Sequence, residues 1–212
     1  MDIEKSKLNS FLNRLKKKKF GDCTIQLSSV LEWCNNNDLI PEDDNHVFVA
    51  NYEISSTDDD KPTMRMFFTT KRLIGLAHHN SVHICADATY KLIWQGYPVL
   101  IVGTTDKEKK FHPFGLAVCM NETEEDFSFI FRSLKLTVNR ICNFNYQPTT
   151  LIADASGAIT KGFQAAFDNL DRRVMCWAQS CDELLNSETK LWRIELQDSN
   201  WKLGYVQLSI LQ

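Results

Sequence analysis

The chain has 212 residues, 43% hydrophobic and 24% charged, with a formal net charge of −3 and a pI near 6.0. That is the composition of an ordinary globular protein, long enough for one full α/β core and without a global charge pull toward nucleic acid. No apolar run approaches the roughly 20 residues that span a bilayer, the start "MDIEKSKLNSFLNRLKKKKF" has no signal-peptide h-region, and seven cysteines without a CxxC pair argue against a disulfide framework or a zinc finger.

Leu8, Phe11, Leu12 and Leu15 recur at helical spacing and predict an amphipathic helix over residues 4–19. Its end, "RLKKKK" (14–19), reads as a solvated helix terminus, where cations are favoured, or as a nuclear-import or phosphate-contacting patch. A second short helix is expected over 24–33, ended by "NNND". "VFVANYEI" (47–54) and "TMRMFFTT" (63–70) read as strands joined by the acidic loop "SSTDDDKP", in which Asp58, Asp59 and Asp60 suit a solvated hairpin tip better than a metal cluster. "KRLIGLAHHN" predicts a helix; its adjacent His78 and His79 point about 100° apart and do not readily share a metal.

From residue 82 the order becomes regular. "VHICADATY" (82–90), "YPVLIVGTT" (97–105) and "PFGLAVCM" (113–120) are three strands with short linkers, hence an antiparallel meander. Near-continuous apolarity from Val99 to Val102 implies burial on both faces. A helix follows, opened by Thr123 and Asp126 as an Asp-for-Glu capping box, with Phe127, Ile130, Phe131, Leu134, Val138 and Ile141 on one face. "TTLIADASG" (149–157) is a fourth strand, "GAITKGFQAAF" a helix and "RRVMCWA" (172–178) a fifth strand.

Two apolar strands thus end on aspartates, Asp87 and Asp154. Aspartate at such a point often opens a turn, and Ser156-Gly157 is ordinary helix-start chemistry. The other reading is chemical. In a sheet of order 3-2-1-4-5 the first and fourth of these strands are parallel neighbours, about 4.8 Å apart, and both carboxylates project from one end. Two like charges that close are relieved by a hard cation, Mg²⁺ or Mn²⁺, and a pair of such ions can clamp both oxygens of a phosphoryl displacement.

The segments "DATYKL" (87–92), "YPVLIVGTTD" (97–106), "FHPFGLAVCMNETEEDFSFIFRSL" (111–134), "TTLIADASGAITKGFQAAF" (149–167) and "MCWA" (175–178), in that order, resemble the MULE (Mutator-like element) transposase domain, a branch of the RNase H-like DDE/DDD recombinases. The resemblance implies an RNase H-like mixed five-stranded α/β sheet flanked by helices, of order 3-2-1-4-5; the elements upstream read as an α+β N-terminal extension. It implies that Asp87 and Asp154 are the first two catalytic carboxylates and bind Mg²⁺ or Mn²⁺. It also implies DNA, both element ends and target, as partner of intact relatives, and a partner chain carrying the DNA-binding module, since this sequence shows no zinc-finger spacing and no recognition helix.

Departures from the family pattern are equally definite. "CWAQ" puts Gln179 where the family's Cys-Trp-x-His has its histidine, leaving Cys176 without that partner. The family's third carboxylate lies beyond a helical insertion, and this sequence stops 58 residues after Asp154 (212 − 154). In the tail, Leu184, Glu188, Leu191 and Glu195 share a helical face, and Glu188 follows Asp154 by 34 positions (188 − 154), a spacing suited to a compact DDE enzyme. Glu124 and Glu125 are explained by the helix N-terminus.

The expectation is therefore a transposase-type domain that is incomplete or inactive here, nuclear or cytoplasmic and without a membrane partner. Its rivals are a domesticated interaction module and a compact nuclease using Glu188. The organisation read from the sequence is a helical extension (1–45), a strand-hairpin-helix lead-in (46–80), a core (81–180) and a divergent tail (181–212).

Overall fold

A computed structural model describes residues 10, 26–55, 62–90, 92–93, 96–108, 110–167, 170 and 172–175. Apart from Ser10, the helix expected over 4–19 lies outside the described residues, as do Asp58 to Asp60, Cys176, Gln179 and the tail with Glu188. Two compact units are distinguished, residues 1–33 with 195–212 and residues 34–194. The first contributes the start of helix α1 (Leu27–Asn36) to the described residues. The sheet and its helices belong to the second.

Period-2 patterning produces seven strands: β1 (Phe48–Ser55), β2 (Thr63–Thr69), β3 (His83–Thr89), β4 (Val99–Thr105), β5 (Phe111–Cys119), β6 (Thr150–Ala153) and β7 (Arg172–Met175). Three helices join them: α2 (Lys71–His79), α3 (Glu124–Cys142) and α4 (Gly157–Ala166). Local chemistry sets their ends. Thr70 caps α2 by accepting the Leu73 N–H at 3.2 Å. The Thr123–Asp126 pair forms the reciprocal capping box of α3, as its spacing predicts. Asn143 closes α3 in the left-handed region, φ 50°.

All seven strands form one sheet of order β1-β2-β5-β4-β3-β6-β7. The expected five-stranded sheet is thus corrected: the whole sheet does not have the order 3-2-1-4-5. The five strands counted from the sequence stand together as β5-β4-β3-β6-β7, and the lead-in hairpin extends them. The reason is an edge. β5 would otherwise present a row of unpaired backbone groups, and β2 covers it antiparallel, pairing Arg65 with Cys119 through Phe68 with Leu116.

Alternate strand residues on one face (Ile84 and Ala86, Leu100 and Val102, Leu151 and Ala153) join α2, α3 and α4 in a single hydrophobic core. Phe127, Ile130, Phe131, Leu134 and Val138 of α3 are fully buried in it, with Phe163 of α4. In β4, Val99, Leu100 and Val102 are buried and Ile101 partly so, which agrees with the two-sided burial expected of that run. Among the described residues no helix is long and apolar enough to cross a membrane.

Candidate functional site

Strand directions bring the chemistry to one end of the sheet. β3 and β5 both run antiparallel to β4, while β6 and β7 run parallel to β3. The carboxyl ends of β3, β5, β6 and β7 therefore lie together, with the N-termini of α3 and α4 just beyond them.

The β3–β6 ladder fixes the two aspartates relative to each other. It pairs His83 with Thr150, Ile84 with Leu151 and Cys85 with Ile152, a constant offset of 67 residues (150 − 83). The same offset carries Asp87 to Asp154 (87 + 67 = 154), one pleat beyond the last pair. Within β3 the pleat puts Asp87 on the face opposite Ile84 and Ala86, while Asp154 stands one residue past the end of β6, level with Asp87 by that offset. The backbones of adjacent strands are about 4.8 Å apart. Asp87 is exposed and Asp154 partly buried.

The strand ends differ from expectation at Asp87. β3 does not finish there, because β4 continues to pair with it through Asp87–Ile101, Ala88–Leu100 and Thr89–Val99. Asp87 Oδ1 accepts the N–H of Ala88 at 2.8 Å. Asp154 does follow directly after its strand, and its Oδ1 accepts the Ser156 N–H at 2.9 Å, which turns the chain into α4. Turn-making leaves that carboxylate with capacity to spare: one oxygen shapes the loop, and further lone pairs remain.

Two neighbours escape the sequence pattern. Arg173 of β7 donates from a terminal guanidinium nitrogen to the Asp154 carbonyl at 2.8 Å. Tyr90, just past β3, is half-exposed, and partial burial together with a hydrogen bond to Glu122 pushes its phenol up. No sequence signal marks Arg173, since its reach depends on the β6–β7 register, Leu151 opposite Arg173.

Among the described residues no group of three or more His, Cys, Asp or Glu gathers as a metal site. Two carboxylates such as those of Asp87 and Asp154 would offer oxygen ligands only, a donor chemistry that suits Mg²⁺ or Mn²⁺ and not a zinc centre of Cys and His. Glu188, the candidate third carboxylate, lies outside the described residues. His78 and His79 stand with ring centroids 5.1 Å apart on α2 and take no part in this end of the sheet.

The fold is a mixed α/β domain in which Asp87 lies in the second half of β3 and Asp154 directly follows its parallel neighbour β6. Residues 83–179 match the family model of the MULE transposase domain. That match begins at the first residue of β3, runs through β7 and contains both aspartates, and the resemblance read from the sequence over about 82–178 is borne out. No curated protein matches the chain. β1 and β2 precede the matched residues yet belong to the same sheet.

Proposed function

We propose that this chain carries a DNA-handling domain of the MULE transposase type, RNase H-like in its β3–β7 portion, in which Asp87 and Asp154 hold a divalent cation. The observation that supports it is the parallel register of β3 and β6, which continued by two residues sets Asp87 level with Asp154. Mg²⁺ or Mn²⁺ bound there supplies a Lewis acid for phosphodiester oxygens. The residues of the chain supply the rest: Asp87 and Asp154 offer the oxygen ligands, and the Ser156 N–H keeps Asp154 oriented.

Two carboxylates alone do not hold two ions in the geometry that in-line strand cleavage needs, and misplacement of about 1 Å already costs roughly 100-fold in rate. Metal-supported DNA binding without cleavage is therefore the proposed activity of the chain by itself. The test is fluorescence anisotropy of a labelled duplex with purified full chain, in Mn²⁺ and in EDTA. Mn²⁺ should tighten binding by the wild type and leave Asp87→Asn and Asp154→Asn unmoved. Equal wild-type affinity in both conditions contradicts the proposal. Strand scission by the wild type that disappears in both Asp154→Asn and Glu188→Gln would instead establish the compact nuclease.

A further inference from the structure

Resting on that reading, we infer that Arg173 is the phosphate-positioning residue of the site, holding a nucleic-acid backbone against the two carboxylates. Its charge lies well away from its own backbone. Arg173 pairs with Leu151, three residues short of Asp154, so its backbone lies roughly 10 Å down the strand from that level at about 3.3 Å per residue. Its guanidinium nonetheless meets the Asp154 carbonyl at 2.8 Å. The side chain therefore extends along β7 and delivers its cation to the end of the sheet where Asp87 and Asp154 stand.

The hydrogen-bond count then leaves the cation available. A guanidinium has five N–H donors. Among the described residues Arg173 makes that one bond, to a carbonyl, and no ion pair, and it is exposed. The Asp154 carbonyl anchors the fork without neutralising it. The remaining donors suit a phosphodiester, which guanidinium recognises through two parallel N–H···O bonds. A polyanion approaching two carboxylates is repelled until a cation offsets that repulsion, and Arg173 supplies a fixed one beside the metal ligands. Burial does not account for this placement, because an exposed arginine loses rotamer freedom when it is anchored.

The test uses the full chain, a fluorescein-labelled duplex of about 20 base pairs and Mn²⁺, with affinity measured across a salt series. Arg173→Gln should weaken binding about 5- to 10-fold near 0.1 M salt and reduce the slope of log affinity against log salt by about 1. Arg173→Lys keeps the charge but loses the fork, and should fall between the two. Arg140→Gln removes the same charge from the last turn of α3, at the opposite end of the sheet, and should stay within about 2-fold of wild type. Thermal melts confirm that each variant is folded. An Arg173→Gln affinity and salt slope equal to wild type, with the Mn²⁺ response intact, overturns this inference and leaves the functional reading standing. Equal losses in Arg140→Gln and Arg173→Gln also overturn it, because they show only a net-charge effect. A wild type with no duplex affinity in Mn²⁺ overturns the functional reading and this inference with it.

Discussion

Asp126 is a buried carboxylate that accepts from three donors on two residues. Its Oδ1 accepts from Arg65 Nε at 2.7 Å, and its Oδ2 accepts from the Thr123 backbone N–H at 3.0 Å and hydroxyl at 2.8 Å. The side chains of Arg65 and Asp126 are only 19% and 5% exposed, so the pair belongs with buried ion pairs and not with screened surface ones. Asp126→Ala would leave the Arg65 cation with Glu53, itself 53% exposed, and open the helix cap. The expected loss is about 3 kcal/mol in urea unfolding. Combining it with Arg65→Met should cost less than the sum of the single changes, and additivity within about 0.5 kcal/mol would contradict the coupling. A milder case lies at the β4–β5 turn. There the His112 ring at 2.8 Å, with the Lys110 N–H, holds the Asp106 carboxyl below its usual range. A depressed carboxyl contributes stability above its unfolded pKa and loses it as pH falls through the folded one. The stability gap between wild type and Asp106→Asn should shrink as pH falls below about 4. A gap that widens with acid would mean that the carboxyl is raised on folding instead.

At the scale of elements, α3 and α4 meet at a glycine. A Cβ on Gly162 would fall 2.6 Å from Phe127 Cβ, 2.8 Å from the Ser128 backbone nitrogen and 2.9 Å from the Glu124 carbonyl oxygen. Two of those three atoms are backbone, so relief requires the helices to move apart. Gly75, in α2, has nothing within 4 Å of the same position. Helix propensity alone favours alanine at both sites by about 1 kcal/mol. Packing gives the two sites opposite signs: Gly75→Ala should stabilise by about 0.5–1 kcal/mol, and Gly162→Ala should destabilise by about 1–3 kcal/mol. Denaturant titration decides, and stabilisation of both would mean that the close approach of the helices is not a constraint. Local elements of this kind were largely legible in the sequence. The capping box followed from Thr123 and Asp126, and α2 from the run "KRLIGLAHHN". The second helix was less so: it runs Leu27–Asn36, about three residues later at each end than its pattern suggested, because "NNN" continues a helix that propensity would stop.

For the whole molecule, legibility divides between local and long-range information. The pairing of β3 with β6 could be argued from the order of elements, since a right-handed crossover through α3 makes β3 and β6 parallel neighbours. The addition of β1 and β2 could not, because which strand covers the edge of β5 is settled by packing of Phe67, Met66 and Arg65 against it and leaves no periodic mark. Arg173 was missed for the same reason. A thermal melt of the full chain across a Mn²⁺ titration tests directly whether Asp87 and Asp154 form one divalent-cation site. At about 100-fold excess over Kd, binding to the folded state contributes about 2.7 kcal/mol, or about 5–10 °C for a chain of this size. That rise is expected in the wild type and should be lost in Asp87→Asn and Asp154→Asn. The metal-free variants should melt at an unchanged or higher temperature, as like-charge repulsion is removed. A wild-type melting temperature that does not move up to saturating Mn²⁺, or one that rises equally in both variants, would contradict the shared site.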